Sequence, residues 1–595
     1  MTRFCMPLAA LLAVAVASPL RAQTAAGPVT VRNGVAQSLN ALFAQEWERT
    51  QREYPEIATY NGDTRFDDRW TDLAPAAIAA RQAEERAALQ RLRSIDRAWL
   101  SDDQQLNYDT FEWLLERAVE RQRFHESLRP VDHKNGPQLD DGIAEMMPFE
   151  TTSDYRKFLQ RMAALPRRID QVIELMQEGV AQGNTTPRVL LERVPAQIAL
   201  QIVEDPARSP FYRPFTRFPE AVSAADRAAL QAQARLTIRD RLVPAFRKFQ
   251  MYFNGSYLPR SRTSVAATAL PDGQAYYEFL VRLQTTTSMS ADEIHRIGLA
   301  EVSRLRGQME RLKDEIGFAG SLGEFFVYLR SDPKFFYKTP EELMSAYTVT
   351  TRRIDPELGR VFHNVPRQPY GVREIPANAA PDTTTAYYQP GAADGSRPGY
   401  YYVNLYKPET RPSWEIVPLT LHEAVPGHHF QFARALEMQD APMFRRTAYF
   451  VAYGEGWALY AEQLGYDMGL YEDPYDRFGQ LTYEMWRTVR LVVDTGLHSK
   501  GWSREKAIEF FKENTARTDQ DIVNEIDRYI GDPAQALAYK IGQMKISELR
   551  RRAERALGPR FDLRDFNDAV LAVGSVPLTA LETHMTRWIA EQAGR

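Results

Sequence analysis

The chain is 595 residues long, 44% hydrophobic and 26% charged, with a formal net charge of -4. That length is enough for a large core, or for two or more lobes packed around a groove. The small net charge and the lack of a basic cluster give no electrostatic ground for a nucleic-acid partner.

At the start, Arg3 precedes an almost purely apolar run over residues 6–18, and Leu20-Arg21-Ala22 leads to a cleavage point before Gln23. This is the layout of a signal peptide over 1–22, and the apolar run is too short to span a bilayer. The mature chain is expected to be soluble, periplasmic or secreted, with no membrane span. Cys5, the only cysteine, lies ahead of the apolar run and leaves with the leader; a lipid-anchoring cysteine would follow that run. Disulfides and thiolate ligands then drop out, so a metal would have to be held by His, carboxylate or water.

After a flexible leader over 23–36, most of the chain reads as helix. Residues 154–177 set Phe158, Leu159, Met162, Leu165, Ile169, Val172, Ile173 and Met176 on one face, with Gly179 as a stop. Ser290 and Glu293 form a capping-box pattern ahead of the apolar stripe Ile294, Ile297, Val302, Leu305, Met309 and Leu312. Proline, glycine and serine interrupt the helical rhythm at 209–219 and 254–273. The second break divides an N-terminal helical lobe, 37–265, from a catalytic helical lobe, 266–595. Within 364–412, Tyr400-Tyr401-Tyr402-Val403-Asn404-Leu405 is the best strand, bounded by Gly399 and Pro408. The expected fold is mainly α, two lobes around a deep groove, with a small β-sheet beside a metal site.

The chemistry concentrates in Leu421-His422-Glu423-Ala424-Val425-Pro426-Gly427-His428-His429, which holds three of the nine histidines. In H-E-x-x-H, two histidines four apart share a helix face and one ion, with the glutamate beside them as base. Here proline stands where the second histidine belongs. Pro426 lacks an N–H and collides with the carbonyl four residues back, and Gly427 tolerates unusual dihedrals. Extruding Pro-Gly as a bulge gives H-E-x-x-(PG)-H and makes His428 the second ligand. His429 is the rival, since seven residues turn through about 700°, but two helical turns leave it roughly 10 Å from His422 along the axis. A third ligand lies downstream in Tyr453-Gly454-Glu455-Gly456-Trp457, where Glu455 and Glu462 fall on nearly one helix face. One of them binds the ion while the other orients a histidine.

His422 to His429 resembles the H-E-x-x-P-G-H-H signature of a bacterial family catalogued as domain of unknown function 885, grouped with zincin-like metallopeptidases. The resemblance spans most of the mature chain. It takes in Tyr276-Tyr277, Thr285-Thr286-Thr287, Asp494-Thr495-Gly496-Leu497-His498, Arg528-Tyr529 and Tyr539-Lys540-Ile541-Gly542. More distantly the chain is similar to helical zinc carboxypeptidases and oligopeptidases. The resemblance implies one Zn2+ on His422, His428 and Glu455, Glu423 as general base, and short peptides as substrate.

With zinc in place, an oxyanion needs a further donor, and His498, Tyr529 and Tyr539 are the candidates. The strand at 400–405 offers main-chain pairing to an extended substrate, and Arg528 and Lys540 offer charge for a carboxylate. His295 is either functional or a buried core histidine. Two other readings are an inactive peptide- or metal-binding relative, against which the retained Glu423 argues, and a zinc amidase or ester hydrolase with the same centre. A di-iron bundle would need two Glu-x-x-His repeats, which the sequence does not contain.

Overall fold

Capping side chains open several of the long helices. The computed structural model describes residues 28–376, 380, 384–392, 395 and 397–594; the signal peptide and Cys5 lie outside them. Helix α1 (Pro28–Glu53) opens within the segment expected to be a leader, with proline at its first position, where the missing N–H has no helical partner to lose. Helix α2 (Thr152–Ala181) is opened by a reciprocal capping box between Thr151 and Asp154. It runs past Gly179, at which a Cβ would lie 2.6 Å from the Leu128 carbonyl oxygen. That glycine admits a neighbouring main chain and does not end the helix. Helix α3 (Ala291–Ile316) has the expected box of Ser290 and Glu293 and ends at Gly317 with a φ of 84°.

The apolar face of α2 joins Phe211, Phe215, Phe246 and Phe249 in one core. Leu39, Phe43, Leu92 and Phe111 make a smaller one among the first helices. The C-terminal half is built on two further cores that meet at the motif. It comprises α4 (Ile416–Glu423), α5 (His428–Leu436), α6 (Val451–Asp467), α7 (Pro474–Ser499), α8 (Asp519–Gly531) and α9 (Leu537–Leu557). Leu421, Val425, Phe430 and Trp457 enter one core, while Trp414, Leu419, Ala424 and Tyr529 enter the other. Every residue of α4 is buried, as is every residue of α7 from 478 to 498. Helices α6 and α9 touch main chain to main chain: a Cβ on Gly542 would sit 1.8 Å from the Ala452 carbonyl oxygen. This contact sets Tyr539 of α9 near Glu455 of α6.

The fold is mainly α with one small sheet, as the sequence predicts. The sheet has β1 (Tyr370–Glu374), β2 (Ala386–Gln389) and β3 (Gly399–Val403) in the order β1-β3-β2. β1 is parallel to β3 and β2 antiparallel to it. The strand expected at 400–405 is β3, but it is central, and both of its edges are already paired. The expectation that it pairs with substrate is therefore corrected: the main chain it would offer is used within the sheet. The strand with only one partner on the cavity side, among the described residues, is β2. β3 instead braces the motif helix, since buried Tyr401 brings its hydroxyl to 3.5 Å from Thr420 Oγ1 of α4. No described helix is long and apolar enough to cross a membrane.

Candidate metal centre

Helix α4 stops at Glu423, and α5 starts at His428. The intervening Ala424 to Gly427 form a tight turn with a cis Val425–Pro426 peptide. The interruption is thus wider than a two-residue bulge: Pro426 ends one helix outright, and a new one begins two residues later. Gly427 is needed there, because a Cβ would lie 1.9 Å from the His422 carbonyl oxygen. Trp457 of α6 fixes the turn by donating to the Pro426 carbonyl at 2.8 Å. Breaking the helix frees His428 from the hundred-degree spacing of a continuous one and lets its ring meet that of His422, centroids 4.9 Å apart.

One donor atom each from His422, His428 and Glu455 lies within 4.8 Å of the others. Glu455 Oε2 stands 3.6 Å from His422 Nε2 and 3.2 Å from His428 Nε2. A tetrahedral zinc with ligands at about 2.1 Å sets its donors about 3.4 Å apart, so this set fits such an ion. The other Glu455 oxygen accepts from the Tyr449 hydroxyl at 2.8 Å, which leaves Oε2 to face the histidines. Glu462, fully buried, holds His422 Nδ1 at 2.8 Å and so presents Nε2 to the cluster. Of the two glutamates on α6, Glu455 faces the cluster and Glu462 orients its histidine.

Charge follows geometry. Burial pulls His422 down, but Glu455 and Glu462 outweigh it and raise the imidazole to about 9. Burial opposes ionisation of Glu455, yet the two histidines beside it hold it well below the usual carboxylate range. Glu423 is pushed up by burial, against the pull of His422 and His428. His429 turns away: its ring nitrogens meet the Tyr388 hydroxyl at 2.9 Å and the Gln368 carbonyl at 3.0 Å. Burial lowers it to about 4. Of the two histidines, His428 faces the cluster, and His429 ties α5 to the sheet.

A cavity of about 520 Å³ opens on this cluster. Its lining includes His422, Glu423, His428, Tyr449, Glu455 and Tyr539, residues 384, 386–388 and 390–392 around β2, and Tyr60 with Asn61 from the N-terminal segment. Of the three expected oxyanion donors only Tyr539 reaches it. His498 is corrected: its Nδ1 accepts from the Ala267 N–H at 2.9 Å and its Nε2 faces the Tyr529 carbonyl at 2.9 Å. Both nitrogens are consumed by main chain, and burial lowers the ring to about 4. Tyr529 is corrected as well, since its hydroxyl donates to Glu525 at 2.5 Å and accepts from Arg490 at 2.9 Å. It steadies a lining residue without lining the cavity itself. Lys540 points elsewhere, to Glu484 at 2.7 Å and Glu301 at 3.2 Å. Arg528 does line the cavity, and His295 is a packed histidine bonded to Thr495 Oγ1 at 2.7 Å. Sequence reasoning missed Tyr449, Arg487, Arg490 and Glu525. The one available signal was Arg487 and Arg490, three residues apart within the otherwise largely apolar run 485–493.

Fold and cluster together define a mainly helical protein with a candidate metal centre buried at the base of a cavity. The chain belongs to the family described as bacterial protein of unknown function, DUF885, which matches residues 55–585. No curated protein matches it. A candidate lipoprotein of Colwellia psychrerythraea, whose crystal structure is known, is 29% identical with a TM-score of 0.89, covering 94% of this chain and 100% of its own. A candidate lipoprotein of unknown function from Shewanella oneidensis has the same fold at 17% identity and a TM-score of 0.64, with the same coverage of 94% and 100%.

Proposed function

We propose that this chain is an exported zinc-dependent peptidase acting on short peptides. The observation that carries the reading is the convergence of His422, His428 and Glu455 donors with Glu423 beside them in one cavity. A zinc ion held by those three residues would supply a Lewis acid and acidify water. Glu423, adjacent in sequence to a ligand and raised by burial, takes the proton from the attacking water and passes it to the leaving amine. Tyr539, which lines the same cavity, would be the donor that stabilises negative charge on the carbonyl oxygen. The edge of β2 offers main-chain groups to an extended substrate. A cavity of about 520 Å³ admits a few residues of unfolded chain and excludes a folded domain. Export is supported by the signal-peptide layout of residues 1–22 and by the description of the Colwellia psychrerythraea relative as a candidate lipoprotein.

The test is hydrolysis of a mixed peptide library read by mass spectrometry, with zinc analysis of the same preparation. One zinc per chain is expected, with cleavage that stops on chelation and returns with zinc. Cleavage that survives full chelation, or zinc-loaded protein that cuts no peptide, sinks the reading.

A further inference from the structure

The cavity that holds the His–Glu cluster also has a guanidinium wall. Arg487 and Arg490, three residues apart on α7, and Arg528 on α8 all line it. Arg487 and Arg490 are only 4% and 3% exposed, so their charges cannot be left to bulk water. The acids available to them fall short. Arg490 and Arg528 both reach the same oxygen, Glu525 Oε2, each at 3.1 Å, and the Tyr529 hydroxyl donates to that oxygen too. One carboxylate thus answers two guanidiniums, and Arg490 Nη1 stays buried with no hydrogen-bond partner. Arg487 stands 3.6 Å from Glu462 Oε1, the oxygen already committed to His422.

These guanidiniums are also held in place. The Arg490 carbon lies 4.3 Å over the Tyr539 ring and 4.8 Å over Trp486, while Arg487 lies 4.6 Å over Trp486. Stacking fixes a planar fork in advance of binding, which spares a ligand the entropy of ordering it. Tyr539 joins the two halves of the cavity, because the same side chain feels the Glu455 carboxylate and the Arg528 and Arg490 charges.

We propose that this wall is a carboxylate subsite: Arg490, flanked by Arg487 and Arg528, seats a carboxylate of the substrate one aromatic ring away from the metal cluster. The inference rests on the peptidase reading and narrows it to peptides that present a free carboxylate close to the bond cut. Two sources share that chemistry, the C-terminal α-carboxylate and an acidic side chain.

Binding to chelator-treated protein removes the ion's pull on the acid, and loss of the preference in Arg490→Gln separates the wall from the His422 imidazolium that remains in the cavity. Calorimetry would compare N-acetylalanylphenylalanine, its C-terminal amide, and an amidated peptide carrying one glutamate. A charge-assisted bidentate contact predicts at least about tenfold tighter binding of one of the acids over the neutral amide. Which acid wins names the source. Arg490→Gln, checked for an unchanged thermal melt, abolishes the preference, and Arg490→Lys keeps part of it. If Arg490→Gln fails to fold, Arg528→Gln on the same wall takes its place, with a weakened acid preference expected and an unchanged one overturning the proposal. Equal binding of all three peptides, or no binding of any at millimolar concentration, overturns the proposal. Hydrolysis of the same peptides by zinc-loaded protein separates the two ideas. Acid preference in binding without cleavage sinks the peptidase reading alone. Cleavage with no acid preference sinks the subsite alone.

Discussion

His422 and His498 are both buried, both stand near the C-terminal end of a helix, and both have a partner on each ring nitrogen. Their chemistry is opposite. His422 lies between two carboxylates and is raised to about 9. His498 lies between an amide N–H and a carbonyl, and burial takes it down to about 4. Burial sets how strongly a neighbour is felt, and the neighbour's charge sets the direction. A histidine with a carboxylate at each nitrogen is ready to exchange a proton for a cation. One satisfied by main chain is a structural tie.

The sharpest way to break the comparison is to remove each ring. His422→Ala, like Glu455→Ala, is expected to abolish zinc binding, read as metal content after dialysis. Full occupancy in both variants would remove His422 from the centre. His498→Ala should retain one zinc per chain, because nothing in the cluster touches it. Next in size is Glu423→Gln, expected to keep the ion and lower turnover by about 10² to 10⁴-fold. Wild-type rates in that variant would mean that Glu423 is not the base. Smaller again is Glu462→Gln. It leaves all three donors in place but weakens the grip on His422 Nδ1, so zinc affinity should fall about 10- to 100-fold. An unchanged affinity in a chelator competition would show that Glu462 only fills space.

The motif half of this centre was legible because its logic is local. Two histidines, a glutamate and a proline that cannot stay in a helix lie within eight residues, and His428 over His429 followed from that spacing. The helix break was underestimated: a four-residue turn replaces the expected bulge, because Gly427 must also pass against the His422 carbonyl. The strand at 400–405 could be read from its tyrosines and valine, but its central place could not, since its partners at 370–374 and 386–389 are five- and four-residue segments that no clear alternation marks. His498 and Tyr529 were misread for a related reason. They lie in stretches that match the family, yet such matches also preserve cores, and both tie α7 to α8. Tyr449, Arg490 and Tyr60 reach the cavity through tertiary packing that no periodicity reports.

The finest test of the comparison is pH. His498 titrates at about 4 in the folded chain, against 6.5 for a free imidazole. Between those values the unfolded chain binds a proton that the folded ring refuses, so stability rises with pH across this window. It is lost as pH falls from 6.5 toward 4. The gap bounds the effect at roughly 3 kcal/mol for this one group. His429, also lowered to about 4, adds a similar slope, so His498 has to be isolated by difference. His498→Gln removes the titration while leaving an amide that can still donate to the Tyr529 carbonyl and accept from the Ala267 N–H. Urea unfolding of chelator-treated wild type and variant at pH 7 and pH 5 should show the wild type losing more, with all other acid-sensitive groups common to both. Parallel losses would mean that His498 is protonated in the fold, and its contrast with His422 would disappear. His422 has the reverse sign in the metal-free chain: its carboxylate partners stabilise the fold below 6.5, and that contribution is lost as pH rises through about 9. Two buried histidines in one molecule should therefore tilt its stability in opposite directions, on either side of pH 6.5.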